Sequence, residues 1–144
     1  MKTKAEILIY NYTKERIPSK KFFSEKLNDF LKKLKENKSI EIALVFVNPS
    51  QIKKLNYHWR KKNKVTSTLS FSSQIAFSRI KDLGEIFFCP QKIKQEAKKY
   101  KIKELNLYSR LLAHSLLHLY GFSHSSKTDS KKMIQLEKLL LENK

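Results

Sequence analysis

The sequence predicts an α+β fold in which a four-stranded sheet is combined with about five helices. Short β-rich runs alternate with turn signals over the first 88 residues, whereas helical periodicity dominates the C-terminal part. A chain of 144 residues with 40% hydrophobic residues can bury one core. Because neither repeats nor a linker divide it, we expect a single domain spanning residues 1–144.

The first half of the chain is predicted to begin with two strands and the helix between them. Residues 5–10, AEILIY, and residues 40–47, IEIALVFV, are apolar enough for strands, and the second is apolar enough to be covered on both faces. Pro18 and Ser19 precede a helix from about 20 to 36. Its predicted buried stripe consists of Phe22, Phe23, Leu27, Phe30, Leu31 and Leu34.

A second helix and two short strands are predicted next. Asn48 stands where an N-cap is expected, and Pro49 takes the first helical position. This helix would end near Arg60, where the run KKNKV breaks the pattern. Residues 66–72 and 83–88 are β-rich and predict two more strands, with a loop between them.

Three further helices are predicted to complete the chain. The first starts at Pro90 and turns Ile93 and Ala97 inward. The second covers about residues 104–120, and the third covers about 128–142. Most of the helical content therefore follows the sheet along the chain.

Composition excludes several classes of protein. The longest apolar runs fall far short of the roughly 20 residues that cross a bilayer, and the N-terminus lacks the features of a signal peptide. Cys89 has no cysteine partner, so a reducing cytoplasm is the expected compartment. The net charge of +18 favours polyanionic partners. A membrane surface is not expected, because no stretch combines a basic face with a large exposed apolar one. A lysine-rich composition can also reflect a nucleotide-biased genome.

The segment LLAHSLLHLYGFSH carries the strongest chemical signal, three histidines within eleven residues. His114 and His118 are four residues apart on the predicted long helix, so both rings face one side. Gly121 stands where a helix favours a left-handed residue, which lets the chain return His124 to that side. Three imidazoles with a fourth position open to water are typical of catalytic zinc sites. We therefore predict a zincin-like site with one Zn²⁺ per chain, used for hydrolysis.

Other interpretations of these histidines stay open. The two helical histidines could be core residues, with His124 a polar loop residue. The spacing H-x3-H-x2-G-x2-H is also that of metzincin proteases, whose catalytic base is a glutamate after the first histidine. Here that residue is Ser115, which cannot act as a carboxylate base. A metalloprotease-like hydrolase is therefore the weaker alternative.

Two segments earlier in the chain accompany the histidine motif HSLLHLYGFSH at 114–124. Asn56 and Arg60 precede a lysine cluster and the run TSTLSF at 66–71, and LGEI follows at 83–86. In order and spacing the three segments resemble the YbeY-type endoribonucleases, also called ribosomal-RNA maturation factors. The corresponding family motifs read H-G-x-L-H-L-x-G-Y-D-H, T-[DN]-V-L-S-F and L-G-D-I. The resemblance covers nearly the whole chain.

The resemblance implies a zinc-dependent, single-strand-specific endoribonuclease that acts in ribosomal RNA maturation and ribosome quality control. It implies RNA of the small ribosomal subunit as partner, with a ribosomal protein or ribosome-assembly GTPase as further partners, and no DNA. The zinc ligands would be His114, His118 and His124. The chain departs from the family pattern at Ser67, Glu85, Ser115 and Ser123. These departures keep a second alternative open, a ribosome-associated RNA-binding protein with a structural zinc.

A basic segment follows the second predicted helix. Arg60 corresponds to the family's functionally important arginine, and we predict that it is catalytic and holds a phosphate opposite the metal. The alternative is a solvated helix end whose cation faces the helix dipole. Lys61, Lys62 and Lys64 are predicted to extend a basic track along the RNA backbone. Ser70, in the short third strand, is a further predicted substrate contact.

Overall fold

Four strands and five helices are present in the computed structural model of the protein, which describes residues 5–73 and 81–142. The predicted α+β class is therefore confirmed. The loop predicted before the fourth strand includes residues 74–80, which lie outside the described residues. The strands are β1 (Ala5–Asn11), β2 (Ile40–Phe46), β3 (Thr68–Ser72) and β4 (Lys81–Phe88). The helices are α1 (Lys20–Lys33), α2 (Pro49–Arg60), α3 (Pro90–Lys99), α4 (Glu104–Leu119) and α5 (Lys127–Leu141).

The four described strands form one mixed sheet in the order β1-β2-β4-β3. β1, β2 and β4 run parallel, which requires crossover connections such as the one that contains α1. β3 runs antiparallel to β4 and occupies one edge of the sheet. Gly84 of β4 has a φ of +119°, and a Cβ at this position would overlap the carbonyl oxygen of Phe71. The glycine of the LGEI segment is therefore needed where β4 passes β3.

Two cores lie on opposite faces of this sheet, because alternate residues of β2 enter different cores. The larger core joins the sheet to α1, α3, α4 and α5, and at its centre four aromatic rings pack together: Phe23, Phe46, Phe88 and Tyr108. The smaller core lies under α2 and includes Ile52 and the buried thiol of Cys89. The larger core fixes α4, the helix that carries two of the three clustered histidines, against the sheet.

Helix α1 ends earlier than predicted, at Lys33 rather than near residue 36. Lys35 adopts a left-handed conformation with a φ of 59°, which ends the helical path. The carboxylate of Glu36 accepts a hydrogen bond from the Tyr120 hydroxyl at 2.6 Å and is 3.2 Å from the Lys81 ammonium group. These distant partners anchor the chain just beyond α1. No helix among the described residues is long and apolar enough to cross a bilayer.

Candidate functional site

Helix α4 and the turn after it bring the three predicted histidines together. The ring centroids of His114 and His118, one turn apart, are separated by 4.5 Å. Gly121 has a φ of +93°, and its N–H donates to the carbonyl of His118 at 2.9 Å. This left-handed turn places the His124 ring 5.7 Å from that of His114 and 6.4 Å from that of His118. The predicted role of Gly121 thus corresponds to the observed geometry.

Hydrogen bonds engage the Nδ1 atoms of two of these rings. His114 Nδ1 lies 3.0 Å from Glu137 Oε1, and His124 Nδ1 lies 2.8 Å from Ser130 Oγ. Because an ionised carboxylate can only accept, His114 carries its proton on Nδ1 and keeps a lone pair on Nε2. That Nε2 atom faces Nε2 of His118 at 3.0 Å. Such hydrogen bonds fix the tautomer and orientation that metal-binding histidines need.

Glu137 is a further member of this cluster, and no motif in the sequence predicts it. Ligand atoms of His114, His124 and Glu137 lie within 4.8 Å of one another, and Glu137 Oε1 is 3.9 Å from His124 Nε2. The carboxylate comes from α5, where the buried residues Met133 and Leu140 flank it on the same helix face. A charged residue on the apolar face of α5 is therefore the feature of the sequence that could have indicated a functional role for Glu137.

The electrostatic environment favours the neutral form of His118. Burial is the largest cause that lowers the pKa of His118, followed by the neighbouring His114 ring and the positive charge of Arg60. A neutral imidazole has a lone pair free for a metal ion, whereas a protonated ring does not. The lowered pKa thus extends the pH range in which this ring can bind metal.

The donor atoms of this cluster fit a zinc ion. Imidazole nitrogens and a carboxylate oxygen are ligands that zinc accepts. Two ligands of a tetrahedral zinc with bonds of about 2.0–2.1 Å are about 3.3 Å apart, and the Nε2 atoms of His114 and His118 are 3.0 Å apart. His124 Nε2, in contrast, is close to Glu137. The ligand atoms that all lie within 4.8 Å of one another are those of His114, His124 and Glu137, whereas His118 approaches this group through His114.

A cleft of about 330 Å³ lies beside the histidines, between α4 and the segment from α2 to β3. Its lining includes most of the predicted functional side chains: Arg60, Lys62, Lys64, Ser70, His114 and His118. Lys61 is not among the lining residues, because it caps α2 in a left-handed conformation and is exposed. A larger cavity of about 680 Å³ between α1, α4 and α5 borders Glu137 but none of the predicted site residues.

Arg60 is held at the mouth of this cleft by the way α2 ends. Its guanidinium donates to the carbonyl of Ser70 at 3.5 Å, a long hydrogen bond that leaves other donors of the group available. The buried Asn56 side chain donates to the carbonyl of Lys64 at 3.0 Å and folds the loop back over the cleft. Asn56 and Arg60 thus have different roles. Asn56 shapes the loop after α2, whereas Arg60 faces the cleft.

Strand β3 presents a free edge to the cleft, because among the described strands it pairs with β4 alone. Ser67 and Ser73 hydrogen-bond to the β4 side, so the alternate residues Thr68 and Ser70 direct their backbone groups away from β4. The Arg60 contact with the Ser70 carbonyl agrees with this alternation. Polar backbone groups therefore line the cleft opposite the histidines.

Two of the serines that depart from the family motifs have identifiable contacts. Ser115 is buried, and its hydroxyl lies 3.3 Å from that of Thr68. It joins α4 to β3 and provides no catalytic carboxylate. Ser123 bonds through its hydroxyl to Ser125 at 2.9 Å. Neither serine supplies a carboxylate. Among the described residues, the carboxylate that contacts the histidine cluster is that of Glu137.

Comparison with known proteins gives a consistent result. A family model described as endoribonuclease YbeY matches residues 8–144. The endoribonuclease YbeY of Phytoplasma australiense is 34% identical, covering 94% of this chain and 93% of that protein. The Thermodesulfovibrio yellowstonii protein of the same description is 35% identical, with 94% of each chain covered. The solution structure of TM1509 from Thermotoga maritima has a TM-score of 0.58 at 21% identity, covers 94% of this chain and 89% of that one, and supports the fold alone.

Proposed function

This chain belongs to the endoribonuclease YbeY family, and from that premise we propose that it is a zinc-dependent endoribonuclease that cleaves single-stranded RNA. The observation that carries the proposal is the cleft, where His114 and His118 lie opposite a group of cations. Those cations are Arg60, Lys62 and Lys64. A site with metal ligands on one wall and phosphate-binding groups on the other suits a phosphodiester substrate.

The proposed zinc ligands are His114, His118 and His124. When bound there, the ion would supply a Lewis acid and lower the pKa of a water molecule. Glu137 accepts the Nδ1–H of His114 and thereby directs the Nε2 lone pair of that ring into the site. The hydroxyl of Ser130, 2.8 Å from Nδ1 of His124, holds that ring in place. The two contacts orient the rings before any ligand arrives.

Arg60 is the proposed phosphate-binding residue. The planar guanidinium can bind two phosphate oxygens at once and stabilise the negative charge that develops during cleavage. Arg60 lines the same cleft as His114 and His118, so a phosphate bound there would lie between the guanidinium and the histidines. Lys62 and Lys64 would bind the flanking backbone phosphates, whereas Lys61 does not line the cleft.

The proposed biological setting is ribosomal RNA maturation and ribosome quality control at the small subunit in the cytoplasm. This part of the proposal rests on the family resemblance. A ribosomal protein or a ribosome-assembly GTPase is the proposed protein partner, and neither DNA nor a membrane is expected.

The peptidase alternative has one observation in its favour, the edge of β3 beside the histidines that pairs with no other described strand. An extended peptide can pair with such an edge. The cations of the cleft and the buried Ser115 favour RNA instead. Turnover of casein without any cleavage of RNA would establish the peptidase.

Neutralising the two cleft lysines is expected to flatten the salt dependence of RNA binding. Each phosphate contact contributes about 0.7 to the slope of log affinity against log salt for single strands. The double variant Lys62→Gln and Lys64→Gln should therefore lower the slope by roughly 1.4. Lys61→Gln is the matched control and should leave the slope within about 0.3 of the wild-type value. Binding titrations at several salt concentrations measure this slope. An unchanged slope in the double variant would mean that the RNA binds outside this cleft.

A further inference from the structure

Trp59 is a large apolar side chain in the last turn of α2 that remains 63% exposed. Its ring is nevertheless supported, with the Phe71 ring 5.9 Å away and the His58 ring edge-on at 4.8 Å. Phe71 packs in turn against Phe87 at 5.7 Å. An indole that is supported on one side and open on another is a preorganised surface for a planar ligand.

The position of Trp59 relates this surface to the cleft. Trp59 directly precedes Arg60, and the two side chains reach neighbouring residues of β3. Arg60 contacts the Ser70 carbonyl, and Trp59 contacts the Phe71 ring. Phe71 follows Ser70, which lines the cleft, so the indole lies one residue from the cleft along both α2 and β3, at the rim where β3 faces α2.

We propose that Trp59 stacks on an unpaired nucleobase of the RNA strand whose phosphate is held by Arg60. The inference rests on the proposed function and adds a determinant of substrate class to it. The cations of the cleft support a nucleic acid as the occupant, since they complement a phosphate backbone. The base attached beside a bound phosphate can then reach an aromatic surface at the rim.

Stacking on Trp59 would explain in structural terms why the site prefers single-stranded RNA. A base within a duplex is stacked on both faces and paired along its edge, so it cannot lie on a protein ring unless it is first extruded. Every base has a π-face, so stacking on a single ring discriminates weakly between sequences. The site would therefore select unpaired RNA with little sequence preference.

Intrinsic fluorescence offers a direct test, because Trp59 is the only tryptophan of the chain. The zinc-loaded protein is titrated with a 2′-O-methyl oligoadenylate, and recovery of the intact oligonucleotide is checked after each titration. Saturable quenching is expected in the wild type. Trp59→Ala should weaken binding, measured with a labelled oligonucleotide, by roughly 10-fold or more, and Trp59→Phe by less than about 3-fold. Tyr57→Ala is the matched control, because Tyr57 is 57% exposed but projects from another side of α2.

A second measurement separates stacking from a disturbance of Arg60. Single abasic nucleotides are placed at each position of the oligonucleotide in turn. For the wild type, an abasic nucleotide at one position should lower the affinity about 10-fold. For Trp59→Ala, an abasic nucleotide at that same position should cause no further loss of affinity. Tight binding that neither Trp59→Ala nor any abasic position weakens would overturn this inference and leave the proposed function intact. A wild-type protein that binds no RNA would overturn both.

Discussion

Replacing His118 with alanine is expected to remove most of the zinc from the protein and to lower RNA cleavage more than about 100-fold. The wild type should carry close to one zinc ion per chain. Nε2 of His118 lies 3.0 Å from Nε2 of His114, so its loss leaves the proposed site with two of its three imidazoles. Elemental analysis of the purified proteins, combined with a cleavage assay on single-stranded RNA, measures both effects.

His58→Ala is the matched control for this experiment. His58 is the fourth histidine of the chain, and it is exposed on α2 outside the cluster. The control should keep its zinc, which is the quantity that this comparison tests. Zinc retained by His118→Ala but lost by Glu137→Ala would show that Glu137 completes the ligand set with His114 and His124. Wild-type protein that is metal-free without chelator treatment and cannot take up zinc would refute the metal site.

Arg60→Lys is expected to lower the cleavage rate at least 100-fold, which corresponds to about 2.7 kcal/mol of transition-state stabilisation. Lysine keeps the positive charge but lacks the planar fork that binds two phosphate oxygens. Because the substitution changes geometry rather than charge, RNA affinity should change only about 3-fold. Single-turnover kinetics and equilibrium binding on the same RNA separate the two quantities.

Arg16→Lys is a suitable control for the arginine test, since Arg16 is exposed and does not line the cleft. It should cleave RNA at the wild-type rate. Zinc content and circular dichroism should be unchanged in both variants. Equal cleavage by Arg60→Lys and the wild type would mean that charge suffices or that Arg60 is a solvated helix end, and the catalytic assignment would then be abandoned.

Elements whose signals are local in sequence were predictable within one or two residues. The start of α2 is an example, because Asn48 caps the helix through the Gln51 N–H and Pro49 occupies the first turn. The end of α1 was not predictable to the same accuracy. The left-handed Lys35 ends it, and the chain just beyond is held by Glu36, whose hydroxyl partner Tyr120 is 84 residues away. Contacts of that range depend on tertiary packing, which a single-sequence pattern does not encode.

The same distinction applies to the candidate site. The histidines could be grouped from the sequence because one helical turn and one glycine turn determine their relative positions. Glu137 could not be grouped with them, since its approach depends on how α5 packs against α4. The sequence alone does not distinguish Lys61 from Lys62 and Lys64, because all three are lysines that directly follow α2. The left-handed conformation of Lys61 is a feature of the folded backbone that leaves this residue outside the cleft.

The central claim is that this protein cleaves single-stranded RNA with a metal ion held by the histidine cluster. The most direct test is to incubate the purified wild type with single-stranded RNA before chelation, after complete metal removal, and after zinc is returned. We expect internal cleavage in the first sample, loss of cleavage in the second, and recovery in the third on addition of about one equivalent of zinc. Undiminished cleavage by protein shown to be metal-free, or no cleavage by fully zinc-loaded protein, would contradict the claim.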